Sequence, residues 1–332
     1  MNAINKYKTP YKLNKPILTG SGKEGEFDYH AVDCPFVFFH QNLFHMLYIG
    51  FDGIGYQTAL AVSEDLIRWK TKGVVLAREE HVGWDQTGAA GTWIIKNDNL
   101  NELPILKKVN NKYWMIYHSY PRTGYEAGAA EMGLAWCEDE DLMEWHRLPN
   151  PIFSWENGRD WEQGGLYKAC IIEKDNQYYM FYNAKNLTNG DWKEQIGLAV
   201  SDNLLTWKRY EKNPILKIQP NTWESKFCSD PCVMYDDKMW VMFYFGFDGN
   251  HAQEGIAVSE DLLHWEKYSE PIIKNGKEGE LDELHAHKPS IIKYNDVLYH
   301  LYCACGKYKA TDRTKNFDDE FRCITLASSR PL

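Results

Sequence analysis

One stretch of sequence recurs along the chain, and this repetition constrains the fold more than any local propensity does. Four copies of the stretch end in tryptophan: LAVSEDLIRW at Trp69, LAWCEDEDLMEW at Trp145, LAVSDNLLTW at Trp207 and IAVSEDLLHW at Trp265. A shorter fifth version, TLASSRPL, ends the sequence. Five copies of one unit predict a fold that is built from five similar modules.

The fourth copy, residues 229–273, shows what one module contains. Two apolar, partly alternating runs flank a polar break at 236–238, which predicts a β-hairpin. A Gly-containing turn leads to a third strand at 255–258, and a fourth short strand carries Pro271-Ile272-Ile273. Four antiparallel strands form one propeller blade, so the sequence predicts an all-β, five-bladed β-propeller. Because no linker or change of composition interrupts residues 1–332, a single domain is expected.

The two ends of the chain complement each other in this pattern. Fourth strands carry Pro151-Ile152-Phe153, Pro214-Ile215-Leu216 and Pro271-Ile272-Ile273, and the N-terminus has Pro16-Ile17-Leu18 with no module before it. The C-terminus, in contrast, stops after a third strand. We therefore expect residues 15–18 to pair with the strand around 323–327, closing the ring and removing an exposed sheet edge.

Prolines indicate where the first strand of each module begins. The positions thirteen residues before the second-strand tyrosines are Pro35, Pro104, Ala169, Pro231 and Pro289. Proline suits the first residue of a strand, because its missing N–H leaves no ladder hydrogen bond unmade there. We call these five residues the reference positions and predict that they begin the first strands.

Charge and cysteine content limit the class of protein. The formal net charge of −10 disfavours nucleic acid and anionic membranes as partners, so a small or neutral ligand is expected. The N-terminus has no apolar core of signal-peptide length, which favours a cytoplasmic location with reduced cysteines. Neither Cys228 with Cys232 nor Cys303 with Cys305 has a second pair at zinc-site spacing. No metal or other cofactor is therefore expected.

The residues just before the first-strand positions are expected to converge at one mouth of the central channel. They are Asp33 and Cys34, Glu102 and Leu103, Tyr167 and Lys168, Ser229 and Asp230, and His287 and Lys288. Ionisable groups that are brought together lose hydration, which a purely structural ring of residues would avoid. The set is a candidate functional site, and salt bridges or strand-end caps are the alternative explanation.

The second copy departs from the pattern. Its aromatic–acid pair, Trp84-Asp85, lies twenty residues before Pro104, whereas in the other copies a large apolar residue and an acid begin eight residues before the reference position. Either a loop is longer there, or the true channel strand is 92–96. In the second case Glu102 lies off the axis and Thr92 and Trp93 line it. Trp93 is then either a stacking platform for a sugar ring or an ordinary core tryptophan.

A large apolar residue followed by an acid precedes the other four first strands. These pairs are Phe27-Asp28, Trp161-Glu162, Trp223-Glu224 and Leu281-Asp282. A packing residue with a capping acid is the favoured interpretation, and Glu162 and Glu224 are kept as alternative proton donors. In the fifth copy Glu283, His285 and His287 add to the cluster, and the two histidines share one face of a strand.

These features together resemble the five-bladed β-propeller glycoside hydrolases, which include families 43, 32, 62, 117 and 130. The resemblance rests on the five copies, the Ser-x-Asp-Leu-x-x-Trp turn and the Asp-x-Pro sequence at Asp33, and it covers essentially the whole chain. It implies carboxylates from different blades that act across a glycosidic bond, one as base or nucleophile and one as acid. Asp33 matches the first-blade acid by position.

The later blades match these families less closely. Family 43 enzymes have an Asp in the third blade and a Glu in the fourth, whereas this chain has Tyr167-Lys168 and Asp230. The resemblance therefore implies Asp230 as the second catalytic carboxylate, assisted by His287 or Glu283, as in family 117, where a histidine contributes. The expected substrate contacts are Trp93, Glu102, Tyr167, Lys168, His285 and Lys288.

The activity that this resemblance implies is exo-acting hydrolysis of short oligosaccharides. A phosphorylase is the first alternative, because Lys168, His285, His287 and Lys288 could hold phosphate. A sugar-binding propeller without catalysis is the second.

Overall fold

A computed structural model of the chain describes residues 4–78, 83–187 and 190–332. The chain is 49% strand and 4% helix, which confirms the all-β class. Four short 3-10 turns occur in the described part, at Ile4–Tyr7, Trp155–Asn157, Asp160–Glu162 and Phe317–Asp319. Within these ranges no helix is long and apolar enough to cross a membrane.

The described strands form one 13-stranded sheet and two four-stranded sheets. After β1 (Tyr11–Lys12) and β2 (Leu18–Thr19), antiparallel pairing links the strands into five successive groups, and parallel pairs join the third group to the fourth and the fourth to the fifth. The first group is β3 (Ala31–His40), β4 (Leu43–Phe51), β5 (Tyr56–Ser63) and β6 (Lys70–Leu76). The second is β7 (Ala90–Ile94), β8 (Tyr113–Ser119), β9 (Glu131–Cys137) and β10 (His146–Arg147). The third is β11 (Leu166–Lys174), β12 (Gln177–Asn186), β13 (Lys193–Ser201) and β14 (Lys208–Arg209).

The fourth group is β15 (Phe227–Asp236), β16 (Met239–Phe247), β17 (Ala252–Ser259) and β18 (Glu266–Lys267). The fifth is β19 (His285–Tyr294), β20 (Val297–Lys307) and β21 (Glu320–Ser328). The first strands of the groups pack against one another: β7 contacts β3 and β11, β15 contacts β11 and β19, and β19 contacts β3. Residues at the starts of these strands are thereby brought together.

The N-terminal segment pairs with the last strand of the chain. Both β1 and β2 run antiparallel to β21, and Leu18 is opposite Ile324. The Ile17 N–H donates to the Ile324 carbonyl at 2.8 Å. The predicted pairing of residues 15–18 with the C-terminal strand is confirmed, and it covers the edge that β21 would otherwise expose.

The repeated segment forms a tight turn after the third strand of a group. Ser63 Oγ accepts hydrogen bonds from the N–H groups of Asp65 and Leu66, and the Trp69 indole donates to the Leu66 carbonyl at 2.8 Å. The same indole-to-leucine bond recurs at Trp145, Trp207 and Trp265. Leu66 has a φ of 67°, which leucine disfavours, so the serine and tryptophan bonds explain why this sequence is repeated.

Three of the four acids that follow the packing residues have structural partners. Glu162 accepts hydrogen bonds from Tyr182 at 2.7 Å and from Arg209 at 2.9 Å. Glu224 does the same with Tyr244 at 2.8 Å and Lys267 at 2.9 Å, and Asp282 with Tyr302 and Lys12. Each tyrosine is the fully buried centre of its second strand. These acids therefore anchor a core tyrosine to a basic side chain.

A register shift interrupts each of the five first strands, and in four of them it is a β-bulge beside the reference position. The bulged residues Cys34, Lys168, Asp230 and Lys288 have φ values of 49°, 42°, 56° and 66°. These four strands begin three or four residues earlier than predicted, at Ala31, Leu166, Phe227 and His285. Proline is tolerated at a bulge as well as at a strand start, which explains the difference.

The second group has its first strand at β7, which overlaps the alternative strand 92–96, and this corrects the expectations that depend on Pro104. Pro104 does not begin a strand, and the prediction for it is wrong. Glu102 lies in the segment after β7, where its exposed carboxylate accepts hydrogen bonds from Asn97 and Asn99. Trp93 is 4% exposed and packs on Phe36, with ring centroids 4.8 Å apart. The inserted segment places Glu102 away from the first strands, and Trp93 is a core residue.

Candidate active site

A pocket of about 710 Å³ lies where the first strands converge. The four bulged residues, Cys34, Lys168, Asp230 and Lys288, all line it. Its volume falls within the range of roughly 300–1,000 Å³ that is usual for small-molecule sites. The expected convergence of residues from different first strands is therefore seen in the structure. Glu102 and Trp93 are not among the lining residues.

Aromatic side chains form much of the pocket wall: Tyr56, Tyr120, Tyr125, Tyr167, Trp192, Phe227, Phe245 and Phe247. Trp192 is the most accessible of the tyrosine and tryptophan side chains in this set, with 38% of its surface exposed. The ammonium group of Lys185 lies 3.9 Å from the centre of the Trp192 ring, and the Trp192 indole N–H donates to Glu194 at 2.8 Å. Flat apolar faces beside charged groups suit a polar ligand with C–H surfaces.

Asp230 is buried, and one of its two carboxyl oxygens accepts no hydrogen bond from the described residues. Its Oδ1 accepts a hydrogen bond from the Ser229 hydroxyl at 2.9 Å, and its Oδ2 has no hydrogen-bond partner among the described residues. Burial raises the pKa of Asp230 to about 6. The ammonium groups of Lys288 and Lys168 oppose this shift, and the Glu194 carboxylate adds to it. A carboxyl group in this environment can hold a proton near neutral pH.

Glu194 was not identified from the sequence, although it lines the pocket beside Asp230. Its carboxylate accepts hydrogen bonds from Trp192 at 2.8 Å and from Asn183 at 3.0 Å, and the Ser229 hydroxyl lies 2.8 Å away. A serine hydroxyl has one proton, so Ser229 cannot donate to Glu194 and Asp230 together. Glu194 has two further donors, whereas Oδ2 of Asp230 has none among the described residues, so of the two carboxyl groups Asp230 has the environment that favours a proton.

Glu126 is a second carboxylate that sequence reasoning missed. It lies between β8 and β9, has a φ of 48° and lines the pocket. Its Oε2 lies 3.5 Å from the Lys185 ammonium group, and its side chain is 15% exposed. No repeated position or strand pattern marks this residue, since it belongs to a connecting loop. The Glu126 carboxylate thus faces the pocket while it is paired with Lys185.

Asp33 is held by three donors and does not line the pocket. Its Oδ2 accepts from Lys288 at 2.5 Å and from Arg322 at 2.8 Å, and its Oδ1 accepts from the Cys34 N–H at 2.9 Å. Burial opposes ionisation of Asp33, but the ammonium and guanidinium groups outweigh it and hold its pKa well below the usual range. Asp33 therefore fixes two cations of the pocket wall.

The predicted residues of the fifth group separate into two locations. His285 and His287 line the pocket, and burial lowers the pKa of both, that of His285 to about 4. Glu283 lies outside it, where its carboxylate accepts hydrogen bonds from the N–H groups of Gly279 and Lys307. Glu283 thus ties a loop to the end of β20 and does not lie beside Asp230.

Lys168 presents a buried ammonium group to the pocket. The residue is 5% exposed and lines the cavity with Tyr167. Among residues 4–78, 83–187 and 190–332 no carboxylate lies within 4.0 Å of its Nζ. The Asp230 carboxyl group acts on Lys168 across the pocket but forms no ion pair with it, so the position is suited to an anionic or strongly polar group of a ligand.

Comparison with known proteins bears on what this pocket does. Residues 95–316, more than half of the chain, match the family model for the glycosyl hydrolases family 32 N-terminal domain. The chain belongs to this family. The resemblance to the β-propeller glycoside hydrolase superfamily is thereby confirmed.

Individual relatives of this family 32 chain show both full-length and partial similarity. A solved complex named for BT0996 and RGII is 29% identical, with a TM-score of 0.84, and the match covers 100% of this chain and 94% of that one. A thermostable family-43 glycoside hydrolase is 22% identical, with a TM-score of 0.67, and the match covers 97% and 96% of the two chains. The latter similarity concerns the fold alone.

A curated relative extends the comparison to phosphorylases. The beta-1,2-mannobiose phosphorylase of Thermoanaerobacter sp. (strain X514) is 30% identical over 135 residues, which are 36% of this chain and 43% of that protein. The 1,2-beta-oligomannan phosphorylase of the same strain is 30% identical over 138 residues. The matched regions thus span less than half the length of each of these two relatives.

Proposed function

We propose that this chain is an exo-acting glycosidase that hydrolyses short oligosaccharides in the cytoplasm. The observation that carries the proposal is that Asp230 and Glu194 both contact the Ser229 hydroxyl, which has only one proton to donate, beside a pocket lined by aromatic side chains. Glycosidic cleavage needs a protonated carboxyl group at the leaving oxygen, and burial together with the adjacent Glu194 favours the proton on Asp230. A pocket bounded by aromatic side chains suits the end of a short sugar chain.

The proposed architecture is a closed, five-bladed propeller formed by residues 1–332 as one domain. Contacts between successive first strands, including β19 with β3, support this arrangement. Lys12 supports it further, because it binds Asp282 beside Tyr302 as Lys267 of the fourth group binds Glu224 beside Tyr244. The N-terminal segment would then supply the outer strand of the fifth blade.

In the proposed mechanism Asp230 is the general acid. Its proton passes to the glycosidic oxygen as the bond to the anomeric carbon breaks, and Oδ2 is the atom free to contact that oxygen. Glu194 keeps the proton on Asp230 by its adjacent negative charge. Glu126 acts as the charged partner, either by accepting a proton from the attacking water or by attacking the anomeric carbon itself. Asp33 positions Lys288 and Arg322 and contacts no reacting atom.

The pH dependence of hydrolysis is expected to report Asp230. Only its protonated form donates, and burial raises its pKa to about 6, so kcat/KM should fall as the pH rises through about 6. Initial rates on an alkyl glycoside between pH 4 and pH 9 measure this limb. The Glu194→Gln variant lacks the negative charge of Glu194 that raises the pKa of Asp230, so its fall in kcat/KM should occur at lower pH. An unchanged limb in that variant would contradict the role given to Glu194.

A substrate panel tests the function itself. Aryl glycosides and short oligosaccharides of arabinofuranose, xylose, galactose, fructose and mannose are incubated with the protein, with and without inorganic phosphate. Release of a free sugar at the same rate in both conditions is the expected result. No release from any substrate, together with saturable binding of sugars, would replace the enzyme by a sugar-binding propeller.

A phosphorylase is the second candidate function, and Lys168 is the observation that favours it. Its buried ammonium group has no carboxylate partner in the described part of the chain, and phosphate would supply the missing negative charge. The partial similarity to the mannobiose phosphorylase points in the same direction. Against it, the other cations of the pocket wall already have carboxylate partners: Lys288 pairs with Asp33, Arg322 with Asp33 and Glu320, and Lys185 with Glu126. Release that requires phosphate and is lost in Lys168→Met would establish this alternative.

A further inference from the structure

The pocket wall at His287 borders a second group of ligating atoms. One ring nitrogen of His287 and the sulfur atoms of Cys303 and Cys305 all lie within 4.8 Å of one another. His287 is opposite Cys303 in the β19–β20 ladder, and Cys305 follows on the same face of β20. We propose that these three side chains form a binding site for Zn²⁺. The proposal is independent of the glycosidase mechanism.

The hydrogen bond of His287 fixes which ring nitrogen has the lone pair that a metal needs. Its Nδ1 lies 3.0 Å from the Cys303 carbonyl, which can only accept, so Nδ1 carries the hydrogen and Nε2 carries the lone pair. Metal-binding histidines are commonly held in this way by a backbone carbonyl, which fixes both the tautomer and the ring orientation. A neutral imidazole oriented by a backbone contact is therefore in place before any ion binds.

The two thiols are poorly placed to form a disulfide with each other. Alternate residues of a strand have Cα atoms about 6.8 Å apart, because each residue advances the strand by about 3.4 Å. Disulfides usually need Cα atoms between about 4.4 and 6.8 Å apart, so this spacing lies at the upper limit of the range. Cys303 and Cys305 are free, buried thiols in the structure, and they remain available as ligands.

The electrostatic surroundings also suit a metal with two thiolates. Zn²⁺ with two thiolates and a neutral imidazole has no net charge, so it can occupy a buried position beside Lys288 and Arg322. Arg322 lies opposite Cys305 in the β20–β21 ladder, and its Nε is a buried donor without an acceptor among the described residues. A metal-bound Cys305 thiolate would accept that hydrogen bond, as outer partners of metal sites do.

The ligand set distinguishes Zn²⁺ from harder ions. Two sulfurs and one imidazole favour Zn²⁺, whereas Ca²⁺ and Mg²⁺ take oxygen ligands. Three protein ligands leave a fourth tetrahedral position, which solvent can occupy. His287 itself lines the large pocket, so an ion can reach the cluster from that side.

Metal titration of the intact chain tests the site. The protein is stripped with a chelator and titrated with Co²⁺, whose bonds to thiolates give a charge-transfer absorption band, and then with Zn²⁺ in competition. We expect one Co²⁺ per chain, displacement by Zn²⁺, and no competition from Ca²⁺ or Mg²⁺. The Cys303→Ser/Cys305→Ser variant should lose the band. Cys232→Ser removes a buried thiol outside the cluster and should retain it.

A single-ligand variant guards against misfolding of the double variant. His287→Gln keeps both thiols and should weaken Co²⁺ binding by about 10-fold or more, since removal even of an outer partner of a metal ligand weakens binding by about that factor. A titration without a thiolate band would overturn the proposal. So would a band that survives in both the double variant and His287→Gln, because other cysteines would then be the ligands.

Discussion

Replacement of Asp230 by Asn is expected to lower kcat/KM for an alkyl glycoside by about 10²–10⁴-fold. The amide keeps the size of the side chain and removes the proton that the leaving oxygen needs. A matched series of substrates sharpens the test, because an aryl leaving group with a low pKa needs less protonation than an alkyl one. The loss should therefore be smaller for the aryl glycoside than for the alkyl glycoside.

Asp236→Asn is the control for the Asp230 variant. Asp236 is a buried carboxylate at the other end of the same strand, β15, where it accepts hydrogen bonds from Tyr7 and Asn101 and does not line the pocket. The same change of charge there should leave kcat/KM within about 3-fold of the parent, because it touches no reacting group. Equal losses in the two variants, or equal losses on both leaving groups, would contradict general-acid catalysis by Asp230.

The parts of the fold that the sequence predicts correctly are those that repeat. Three features recur in fixed order: the reference position, the second-strand tyrosine and the serine–leucine–tryptophan turn. The turn recurs because the same hydrogen bond from tryptophan to leucine forms in several groups. The pairing of Ile17 with Ile324 is predictable for the same reason, since a missing fourth strand at one end matches an extra one at the other. Pro104 misleads because an inserted segment moves it away from β7.

The candidate site is only partly predictable, and the physical reason is the bulge. A residue beside the reference position can be recognised in sequence, so Lys168, Asp230 and Lys288 are found. Glu126 and Glu194 lie in a loop and at a third-strand start, where nothing in the repeat marks them. Asp33 is identified by position, but its ion pair with Arg322 joins residues 289 positions apart and depends on the complete fold.

Asp33→Asn is expected to lower the free energy of unfolding by about 3–5 kcal/mol, because it leaves the buried cations Lys288 and Arg322 without their shared carboxylate. Urea unfolding at pH 7 measures the change. Glu140→Gln breaks an exposed ion pair with Lys108 and should alter stability by about 1 kcal/mol or less. Arg322 keeps an ion pair with Glu320 in Asp33→Asn, whereas Lys288 loses its partner. Asp33→Asn/Lys288→Met removes that unpaired cation, so its loss should be smaller than the sum of the two single losses.

The pH dependence of the Asp33→Asn deficit separates a positioning role from a catalytic one. The folded-state pKa of Asp33 is depressed, so its stabilisation is fully present above the unfolded-state pKa of about 3.9 and is lost as the pH falls below it. The deficit should be constant between pH 5 and pH 8 and shrink at lower pH. A variant that keeps the parent's stability throughout, yet loses hydrolysis about 100-fold or more, would instead identify Asp33 as the catalytic carboxylate that family resemblance implies.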